Sequence, residues 1–336
     1  MQPVRWGILS TALIGTQKVI PALLKSPGLM TVRAIASRSL GAAQTAASAL
    51  GIATAHGSYE ALLADPEIEV IYNPLPNPMH VPWTLAAAQA GKHVLCEKPM
   101  AINAAELELL RPWASRVHIA EAFMVRHHPQ WIAVREQIRQ GAIGALRAIQ
   151  VPFGYYNTDP GNIRNRLEMG GGALLDIGGY AIVAGRWFFE AEPLRVSALI
   201  DRDPQFGVDR QASAWLDFGD GRQLSFTVST QTAPYQRVQL IGSRGRIEIE
   251  IPFNAPQDGP VRFGIDDGSS LAGTGLRWTL LPAADQYQLQ GEAFSRQVRE
   301  QAPSAAGLDD AILNMRIIEA LFASAQSGRV VSLAPR

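Results

Sequence analysis

The first third of the chain alternates short apolar segments with helical patterns, and this alternation constrains the fold more than any other feature. Val4–Leu9, Val70–Asn73 and His93–Cys96 have the length and composition of buried strands. Short strands that alternate with helices form βαβ units, in which helices cover both faces of a parallel sheet. We therefore predict an α/β domain with a doubly wound parallel sheet over residues 1–123.

The other elements of this domain follow from the same patterns. Two further strands are predicted at Thr31–Ala36 and Val117–Ala122. Helices are predicted at Ile14–Lys25, Ala42–Leu50, Tyr59–Leu63, Val81–Ala90 and from Asn103 toward Trp113.

After Phe123 the pattern changes to a few helices and many short β-branched runs. Helices are predicted at Pro129–Gln140, Ala173–Phe189, Tyr287–Glu300 and Leu308–Ala325. Strands are predicted at Leu194–Ile200, Ala212–Phe218, Leu224–Val228, Arg237–Ile241 and Arg246–Ile251, and a surface loop at Asp258–Thr274. We therefore predict an α+β domain over residues 124–336, with a large, mostly antiparallel sheet.

Length and composition exclude several classes of protein. The 336 residues suit two domains, and 30 Lys and Arg balance 30 Asp and Glu, so neither a nucleic acid nor an anionic membrane has electrostatic support as a partner. The single cysteine, Cys96, excludes an internal disulfide and suits a reducing compartment. The sequence shows no signal peptide and no apolar run near the roughly 18 residues of a membrane span. We expect a soluble, cytoplasmic protein.

The loop after the first predicted strand is a variant of a phosphate-binding fingerprint. In WGILSTALIGTQ, the pattern G-x-G-x-x-G keeps only Gly15, and Ser10 and Ala12 stand at the other two positions. Small side chains at Ser10, Thr11 and Ala12 let backbone N–H groups, and the helix that begins at Ile14, approach a pyrophosphate. The same stretch also fits a plain strand, turn and helix without a ligand.

The end of the second predicted strand favours NADP(H) over NAD(H). It reads Ala36-Ser37-Arg38-Ser39, about 20 residues after the loop, where NAD sites carry an acidic residue and NADP sites an arginine. Arg38 can pair bidentately with a 2′-phosphate, and Ser37 can donate a hydrogen bond beside it. Taken alone, Arg38 is also consistent with a solvated surface charge.

Two more segments follow predicted strands and fall at the edge of the sheet where ligands bind. They are Asn73–His80, which reads NPLPNPMH, and Cys96–Pro99. Lys98 precedes a proline, which favours an extended backbone, and the bond between them can be cis. The alternative is a surface lysine at a turn.

These segments resemble the glucose–fructose oxidoreductase/inositol dehydrogenase family, often written Gfo/Idh/MocA. The resemblance is closest to the branch that contains dimeric dihydrodiol dehydrogenases, D-xylose dehydrogenases and 1,5-anhydrofructose reductases. The matching pieces keep the family's order and spacing over nearly the whole chain: Arg5–Ala12, Pro76–His80, Cys96–Pro99, Glu121–Met124, His128–Pro129 and Gly170–Tyr180. The Ser-Thr-Ala loop resembles this branch's own variant of the fingerprint.

The resemblance implies roles for particular residues. Lys98 of the Glu-Lys-Pro motif would be the catalytic lysine, and Asp176 and Tyr180 would complete the site. Tyr180 stands where the inositol dehydrogenase branch has a histidine. The predicted cofactor-binding residues are Ser10, Thr11, Ala12, Ile14, Ser37, Arg38, Pro74, Leu75, Asn77, His80, Glu97, Lys98 and Tyr287.

Residue chemistry agrees with these roles. Asp176 and Tyr180 are four residues apart, so on a helix they share one face. Gly178 and Gly179 lie between them, each at a cost of roughly 1 kcal/mol against alanine in a helix. Two such glycines suit the close approach of a ligand, or alternatively tight packing of the helix on a sheet.

The expected mechanism is hydride exchange between a nicotinamide and a carbon that bears an alcohol or carbonyl. Tyr180 would transfer the proton, Lys98 would tune it and bind the substrate oxygen, and Asp176 would orient the substrate hydroxyl or hold Lys98. The roles of Lys98 and Tyr180 can also be reversed. The histidines and the cysteine lack the spacing of metal ligands, so no catalytic metal is expected.

We therefore predict an NADP(H)-dependent oxidoreductase that acts on a sugar, polyol or cyclic diol. The candidate substrate-binding residues are Arg126, His128, Asn162, Arg164 and Asn165. The branch often has aromatic residues after the Phe-Met pair, where this chain has Val125, Arg126 and His127, so the substrate pocket departs from the family's pattern and the chemistry does not. The alternatives are a non-catalytic NADP-binding sensor and a different reductase on a similar plan. We also expect a homodimer or tetramer.

Overall fold

Our computed structural model describes residues 2–302 and 306–333, so the outermost residues of the two predicted domains lie outside this description. The chain divides into two compact units. The first comprises the residues up to Met124 together with Gln286–Leu313, and the second comprises Val125–Asp285 together with the residues from Asn314 onward. The sequence assigns all of 124–336 to the second domain, whereas in the structure Gln286–Leu313 goes with the first unit.

The described residues of the first unit contain a six-stranded parallel sheet. Its strands are β1 (Val4–Leu9), β2 (Met30–Ala36), β3 (Thr54–His56), β4 (Val70–Asn73), β5 (His93–Cys96) and β6 (Ile119–Glu121). They lie in the order β3-β2-β1-β4-β5-β6, and each neighbouring pair is parallel. The chain changes direction across the sheet between β1 and β4, and ligands of such sheets bind beyond the carboxyl ends at this point.

The described residues of the second unit contain a ten-stranded sheet. Its strands are β7 (Leu146–Tyr156), β8 (Arg195–Arg202), β9 (Asp209–Asp217), β10 (Gln223–Ser229), β11 (Gln231–Gln236), β12 (Val238–Gly242), β13 (Arg246–Ile249), β14 (Val261–Asp266), β15 (Arg277–Leu281) and β16 (Val331–Ser332). The order is β15-β14-β13-β12-β7-β10-β9-β8-β16, and β11 also pairs with β7. The pair β7 and β10 is parallel and the other pairs are antiparallel. Both parts of the predicted fold class are confirmed.

The α-helices of the described residues pack around these sheets. In chain order they are α1 (Ile20–Leu23), α2 (Leu40–Leu50), α3 (Tyr59–Ala64), α4 (His80–Gln89), α5 (Ala104–Glu108), α6 (Pro129–Arg139), α7 (Gly179–Phe189), α8 (Gln286–Glu300) and α9 (Leu308–Ser327). A π-helical turn, Gly15–Val19, precedes α1, and another, Leu174–Gly178, precedes α7. π-Helical turns within helices are often found at functional sites.

Serine or asparagine side chains cap the start of three of these helices. Ser39, Ser58 and Asn103 each accept a hydrogen bond from the backbone N–H three residues later. The helix that Asn103 caps is shorter than predicted, because α5 ends at Glu108 and a 3₁₀ turn follows at Arg111–Trp113. Pro112 within that turn has no N–H to continue an α-helix.

Helix α8 belongs to the core of the first unit. Trp6 of β1 donates its indole N–H to the Ser295 hydroxyl at 3.1 Å, and its ring lies 5.7 Å from that of Phe294. A Cβ at Gly291 would lie 2.3 Å from Leu23 Cδ2, so the helix approaches α1 closely at a position that needs glycine. Tyr287 packs against the same cluster.

Several strands of the second sheet were missed from the sequence. Strand β7, the central one, contains Pro152 and Gly154, both poor strand formers, and no strand was predicted there. The predicted loop Asp258–Thr274 is wrong in part, because β14 occupies Val261–Asp266. Its Gly264 permits close packing, since a Cβ there would lie 2.7 Å from Leu276 Cδ1. Strands β11, β15 and β16 of this sheet, and β3 of the first sheet, were also missed.

Helix α7 is buried against one face of the second sheet. A Cβ at Gly185 would lie 2.9 Å from side-chain atoms of Leu224 and Phe218, so helix and sheet are in direct contact. The stretch Leu167–Phe189 has a mean hydropathy of 1.2 over 18 residues and the length of a membrane span, but 72% of that window is buried inside the protein, the environment of a core helix.

Candidate functional site

The fingerprint loop of the first unit turns on Ser10, which has a positive φ of 69°. Glycine normally takes this left-handed conformation, and here the serine hydroxyl supports it by accepting the Ala12 N–H at 3.2 Å. Thr11 and Ala12 follow in the loop, and Ile14 is already helical. Gly15 is buried, and a Cβ there would be in ordinary van der Waals contact with Pro74 at 3.6 Å and Tyr72 at 3.7 Å. The loop thus brings backbone N–H groups to the N-terminal end of a helix.

Ser37 and Arg38 follow β2 at the same edge of the sheet. Arg38 is exposed, and its guanidinium lies beside the Tyr59 hydroxyl, where its charge partly offsets the rise that burial causes in the pKa of Tyr59. Ser37 accepts the Ser39 N–H at 3.4 Å, and Ser39 in turn caps α2. Tyr59 was missed from the sequence, where it appears only as a residue of a short helix.

Asn73 shapes the segment after β4. Its amide donates to the His80 carbonyl at 3.0 Å and to the Thr84 hydroxyl at 3.2 Å, and its carbonyl accepts the Leu75 N–H at 3.3 Å. Pro74 and Leu75 therefore turn back over the end of the sheet, and Asn77 begins the 3₁₀ turn Asn77–Met79 that leads into α4.

His80 ties this segment to the next one. Its Nδ1 lies 2.7 Å from the Pro99 carbonyl, which can only accept, so Nδ1 carries the proton. Burial, with help from the charge of Lys98, lowers the pKa of His80 to about 4, and the ring is neutral. Its Nε2 is buried and has no hydrogen-bond partner among the described residues. Nε2 can therefore accept a hydrogen bond from a ligand at this edge of the sheet.

Lys98 is held by contacts on both sides. The Tyr72 hydroxyl donates to Glu97 at 2.7 Å, the Lys98–Pro99 bond is cis, and the Met100 N–H donates to Glu121 at 2.8 Å. Burial and the adjacent Glu97 raise the pKa of Tyr72 well above its ordinary value, so the phenol keeps its proton and remains a donor. The half-buried Lys98 is therefore placed on a rigid strand end.

The residues of this edge fit a dinucleotide. Backbone N–H groups at the helix start suit a pyrophosphate, Arg38 suits a ribose phosphate, and the Nε2 of His80 suits a hydroxyl or amide donor. Tyr287, on α8, lies close enough to Tyr72 to raise its pKa further. We infer the fit from the unpartnered buried nitrogen of His80 and from the donor set around it.

In the second unit, Asp176 forms a cluster with Tyr155 and Arg164, hereafter the Asp176 cluster. The Tyr155 hydroxyl donates to Asp176 Oδ2 at 2.6 Å, and Arg164 Nε donates to the same oxygen at 2.9 Å. Burial and the negative charge of Asp176 raise the pKa of Tyr155 well above its ordinary value. The charge of Asp176 also raises the pKa of Arg164, because the carboxylate stabilises the protonated guanidinium.

Tyr180 is buried beside this cluster. Its ring lies 5.9 Å from Phe153 and 5.4 Å from Phe253. Phe153 and Tyr155 are two residues apart on β7, so their side chains lie on the same face of that strand. Asp176, which bonds Tyr155, and Tyr180, which contacts Phe153, therefore pack against this one face. The sequence predicts that Asp176 and Tyr180 share one face of a regular helix. In the structure Asp176 lies in the π-helical turn Leu174–Gly178, and Tyr180 lies in the α-helix that follows.

The glycine-rich turn before this helix packs against Asp209. Gly172 has a φ of 114°, and a Cβ there would lie 1.9 Å from Asp209 Oδ1. Asp209 accepts the Leu174 N–H at 2.6 Å and so holds the start of the helix. Burial raises the pKa of Asp209 to about 6. At Gly178, by contrast, the nearest atoms to a Cβ would be those of the Leu174 side chain, four residues earlier in the same helical segment, at 2.7 Å.

The other predicted substrate-binding residues have local partners. Asn162 accepts the Arg164 N–H at 3.0 Å, and the buried Asn165 donates to the Asp159 carbonyl at 2.8 Å. The buried His128 caps α6 by accepting the Gln130 N–H at 3.1 Å, and Arg126 lies in the 3₁₀ turn just before it. Of this set, the structure brings only Arg164 to Asp176. Among the described residues no group of three His, Cys, Asp or Glu side chains could hold a metal ion.

Comparison with known proteins supports this description of the two units. Residues 4–119 match the model of an oxidoreductase family with an NAD-binding Rossmann fold, and residues 131–248 match that of the GFO/IDH/MocA C-terminal domain. An uncharacterized oxidoreductase of Rhizobium meliloti is 46% identical over 98% of each chain. The D-xylose 1-dehydrogenase (NADP(+)) 2 of Haloferax volcanii is 35% identical over 98% of this chain and 99% of its own.

Solved structures give the same picture. A 3-ketoreductase from Actinomadura kijaniata, in complex with NADP and TDP-benzene, superposes with a TM-score of 0.88 at 30% identity. The match covers 96% of this chain and 98% of that one. An aldose-aldose oxidoreductase from Caulobacter crescentus, complexed with glycerol, has a TM-score of 0.90 at 25% identity, over 98% of this chain and 100% of that one.

Proposed function

Because the chain belongs to the GFO/IDH/MocA family of NAD(P)-binding oxidoreductases, which act on sugar-like substrates, we propose a specific reaction for it. The protein transfers a hydride between NADP(H) and a CH–OH or C=O group of a sugar, polyol or cyclic diol. The relative from Haloferax volcanii is named as NADP-dependent, and the solved 3-ketoreductase holds NADP, which supports this choice of cofactor.

Arg38 supports NADP(H) over NAD(H) from within the chain. It stands at the end of β2, where an NAD site would carry an acidic residue to accept from the ribose 2′-hydroxyl. Its exposed guanidinium, beside the Tyr59 hydroxyl, can pair with the negatively charged 2′-phosphate. Ser10, Thr11, Ala12 and Ile14 would hold the pyrophosphate, and His80, Glu97 and Tyr287 the nicotinamide half.

The observation that carries the proposal is the placement of Lys98. His80, Tyr72 and Glu121 fix the segment around it through three hydrogen bonds of 2.7–2.8 Å at the carboxyl end of β5. A lysine on a flexible surface turn has no such support. An ammonium group that is held at the cofactor edge can bind the oxygen of the reacting carbon and stabilise negative charge on it.

The cofactor supplies the hydride acceptor or donor, and the protein supplies the proton chemistry. Lys98 binds and polarises the substrate oxygen, and Tyr180 transfers the proton to or from it. The two residues can also have these roles reversed. Asp176 pairs with Arg164 and accepts from Tyr155, so its carboxyl group is oriented and can bind a second substrate hydroxyl.

The test is a turnover assay in both directions: reduction of NADP⁺ with a panel of sugars, polyols and cyclic diols, and oxidation of NADPH with the corresponding carbonyl compounds. Lys98→Met and Tyr180→Phe should each lower kcat by about 10²–10⁴-fold while NADPH still binds. Tyr156→Phe, a neighbouring exposed tyrosine, is the matched control and should keep full activity. Near-normal turnover in both Lys98→Met and Tyr180→Phe would remove the proposed roles. Binding of NADPH without turnover of any compound would favour a sensor.

A further inference from the structure

A pocket of about 490 Å³ opens in the second unit next to the Asp176 cluster, and hydride transfer alone gives it no role. It lies along β7 and β11 and the segment after β13. Its walls include Phe153, Tyr155, Tyr235, Gln236 and Asn254. The volume falls within the roughly 300–1,000 Å³ that pockets for small molecules usually have.

Two side chains connect the pocket with the predicted catalytic residues. Tyr155 lines the pocket, and its hydroxyl donates to Asp176 at 2.6 Å. Phe153 also lines it, and its ring lies against that of Tyr180, with 5.9 Å between centroids. A ligand whose reacting part meets Asp176 and Tyr180 can therefore extend into this pocket without leaving the second unit.

The charges of the pocket are already neutralised. Arg237 and Glu250 are its charged lining residues. Arg237 pairs with Glu248 at 3.0 Å and with Glu250 at 3.7 Å, and it also donates to the Glu250 carbonyl. Glu250 in turn pairs with Arg262 at 2.7 Å. A diphosphate needs cations or backbone N–H groups that are not already committed, so this lining does not suit a nucleoside diphosphate.

The rest of the lining suits an uncharged ligand with hydroxyl groups. Tyr235 is 53% exposed, and the Arg237 guanidinium lies over one face of its ring at 5.6 Å from the centroid, so a sugar C–H face would pack on the opposite face. Gln236 accepts the backbone N–H groups of Phe253 and Asn254 at 2.9 and 3.1 Å, which fixes its amide in the pocket wall. Amides donate and accept, and so can bind several hydroxyl groups at once.

From these contacts we propose that the pocket binds a second, neutral sugar ring of the substrate. The inference rests on the proposed function and deepens it, because it assigns a glycoside or disaccharide to the site rather than a free monosaccharide. It also predicts discrimination against sugars activated by a nucleoside diphosphate, whose charges would meet a neutral lining.

The test measures binding to the NADP⁺ complex by titration calorimetry. The probes are D-xylose, D-glucose, xylobiose, cellobiose, maltose, gentiobiose and thymidine diphosphate. At least one disaccharide should bind about tenfold more tightly than its monosaccharide, the effect of one good aromatic contact. Tyr235→Ala and Asn254→Ala should remove this advantage and leave monosaccharide affinity unchanged. The control is Tyr156→Ala, which alters an exposed tyrosine outside the pocket and should behave like the wild type.

Three results would overturn the proposal. They are equal binding of disaccharides and monosaccharides, a disaccharide advantage that survives in Tyr235→Ala and Asn254→Ala, and binding of thymidine diphosphate that these variants abolish. Calorimetry separates this proposal from the proposed function because it needs no turnover. Disaccharide binding that depends on Tyr235, without hydride transfer from any probe to NADP⁺, would contradict the catalytic proposal alone. Oxidation of monosaccharides with no effect of Tyr235 would sink the pocket proposal alone.

Discussion

Arg38 is the residue on which the cofactor preference depends. Arg38→Gln should lower kcat/KM for NADP⁺ relative to NAD⁺ by about 10–100-fold, since a hydrogen bond to a charged group contributes roughly 1.5–3 kcal/mol. The ratio of the two kcat/KM values measures the effect. Arg33→Gln, at an exposed position within β2, removes the same charge away from the strand end and should leave the ratio unchanged. An unchanged ratio in Arg38→Gln would contradict the assignment.

Asp209 should make stability depend on pH. Its pKa is raised from 3.8 to about 6 in the folded protein by burial, with Arg202 and the backbone N–H groups of Ala173 and Leu174 opposing the shift. The folded state therefore binds the proton more tightly than the unfolded chain does. The resulting stabilisation is complete below pH 3.8 and is lost as the pH rises through about 6.

Asp209→Asn removes this titration. Between pH 4 and 7, the free energy of unfolding of the wild type should fall relative to that of Asp209→Asn by about 3 kcal/mol, the equivalent of two pH units. Chemical denaturation at a series of pH values measures the difference. Asp201→Asn, at an exposed aspartate that pairs with Arg210, is the control and should follow the wild type. Parallel curves for the wild type and Asp209→Asn would show that the buried carboxyl does not titrate in this range.

Some site residues were predictable from the sequence and others were not. Lys98 stands out because a strand and a proline bracket it, and Tyr180 because it follows Asp176 by four residues. Tyr155 and Asp209 lie 21 and 33 residues from Asp176 in the chain and reach the site only through sheet pairing and the turn at Gly172. No local sequence pattern marks either residue. The positive φ of Ser10 was also not predictable, because serine rarely adopts this conformation.

At the scale of elements, the turn Gly170–Gly172 sets where the helix with Asp176 and Tyr180 begins. Gly172→Ala should destabilise the protein by about 3–5 kcal/mol, because it adds backbone strain to a clash with Asp209. Gly207→Ala is the matched control: Gly207 has a similar need for positive φ, 71°, but no atom within 4 Å of its Cβ position. It should cost about 1 kcal/mol. Equal losses in denaturant unfolding would show that the contact with Asp209 is not tight.

Elements with a single clear period were predicted well. Strands β4 and β5 have the predicted bounds, and α8 differs by one residue at its start. Strand β7 was not predicted because Pro152 and Gly154 have low strand propensity. Its pairing with strands on both sides in the centre of the sheet outweighs this propensity. Pro152 still offers its carbonyl, which accepts the Arg237 N–H at 3.1 Å, so the missing N–H leaves the strand paired.

At the scale of the whole molecule, the second sheet has exposed apolar side chains that a partner subunit would cover. Leu199 on β8 and Trp215 on β9 are 79% and 60% exposed, and Leu280 on β15 is 69% exposed. We propose that the face with Leu199 and Trp215, on the adjacent strands β8 and β9, joins two copies of the chain, since neighbouring exposed apolar side chains mark interaction sites.

Sedimentation velocity tests the association. The wild type should sediment as a dimer or tetramer at micromolar concentration, and Trp215→Glu should sediment as a monomer because a buried unpaired charge opposes association. Leu271→Glu, in the loop between β14 and β15, changes a fully exposed leucine outside the sheet and should stay associated. A monomeric wild type would contradict the proposal.

The central claim is that a hydride passes between the substrate carbon and the nicotinamide, and isotope transfer measures this directly. The enzyme is incubated with NADP⁺ and sugars that carry deuterium on the carbon of each candidate hydroxyl, and the nicotinamide product is analysed by NMR and mass spectrometry. The account predicts deuterium at C4 of the nicotinamide with at least one sugar, and a rate about 10²–10⁴-fold lower in Lys98→Met. Bound NADP⁺ that acquires no deuterium from any member of the panel would contradict it.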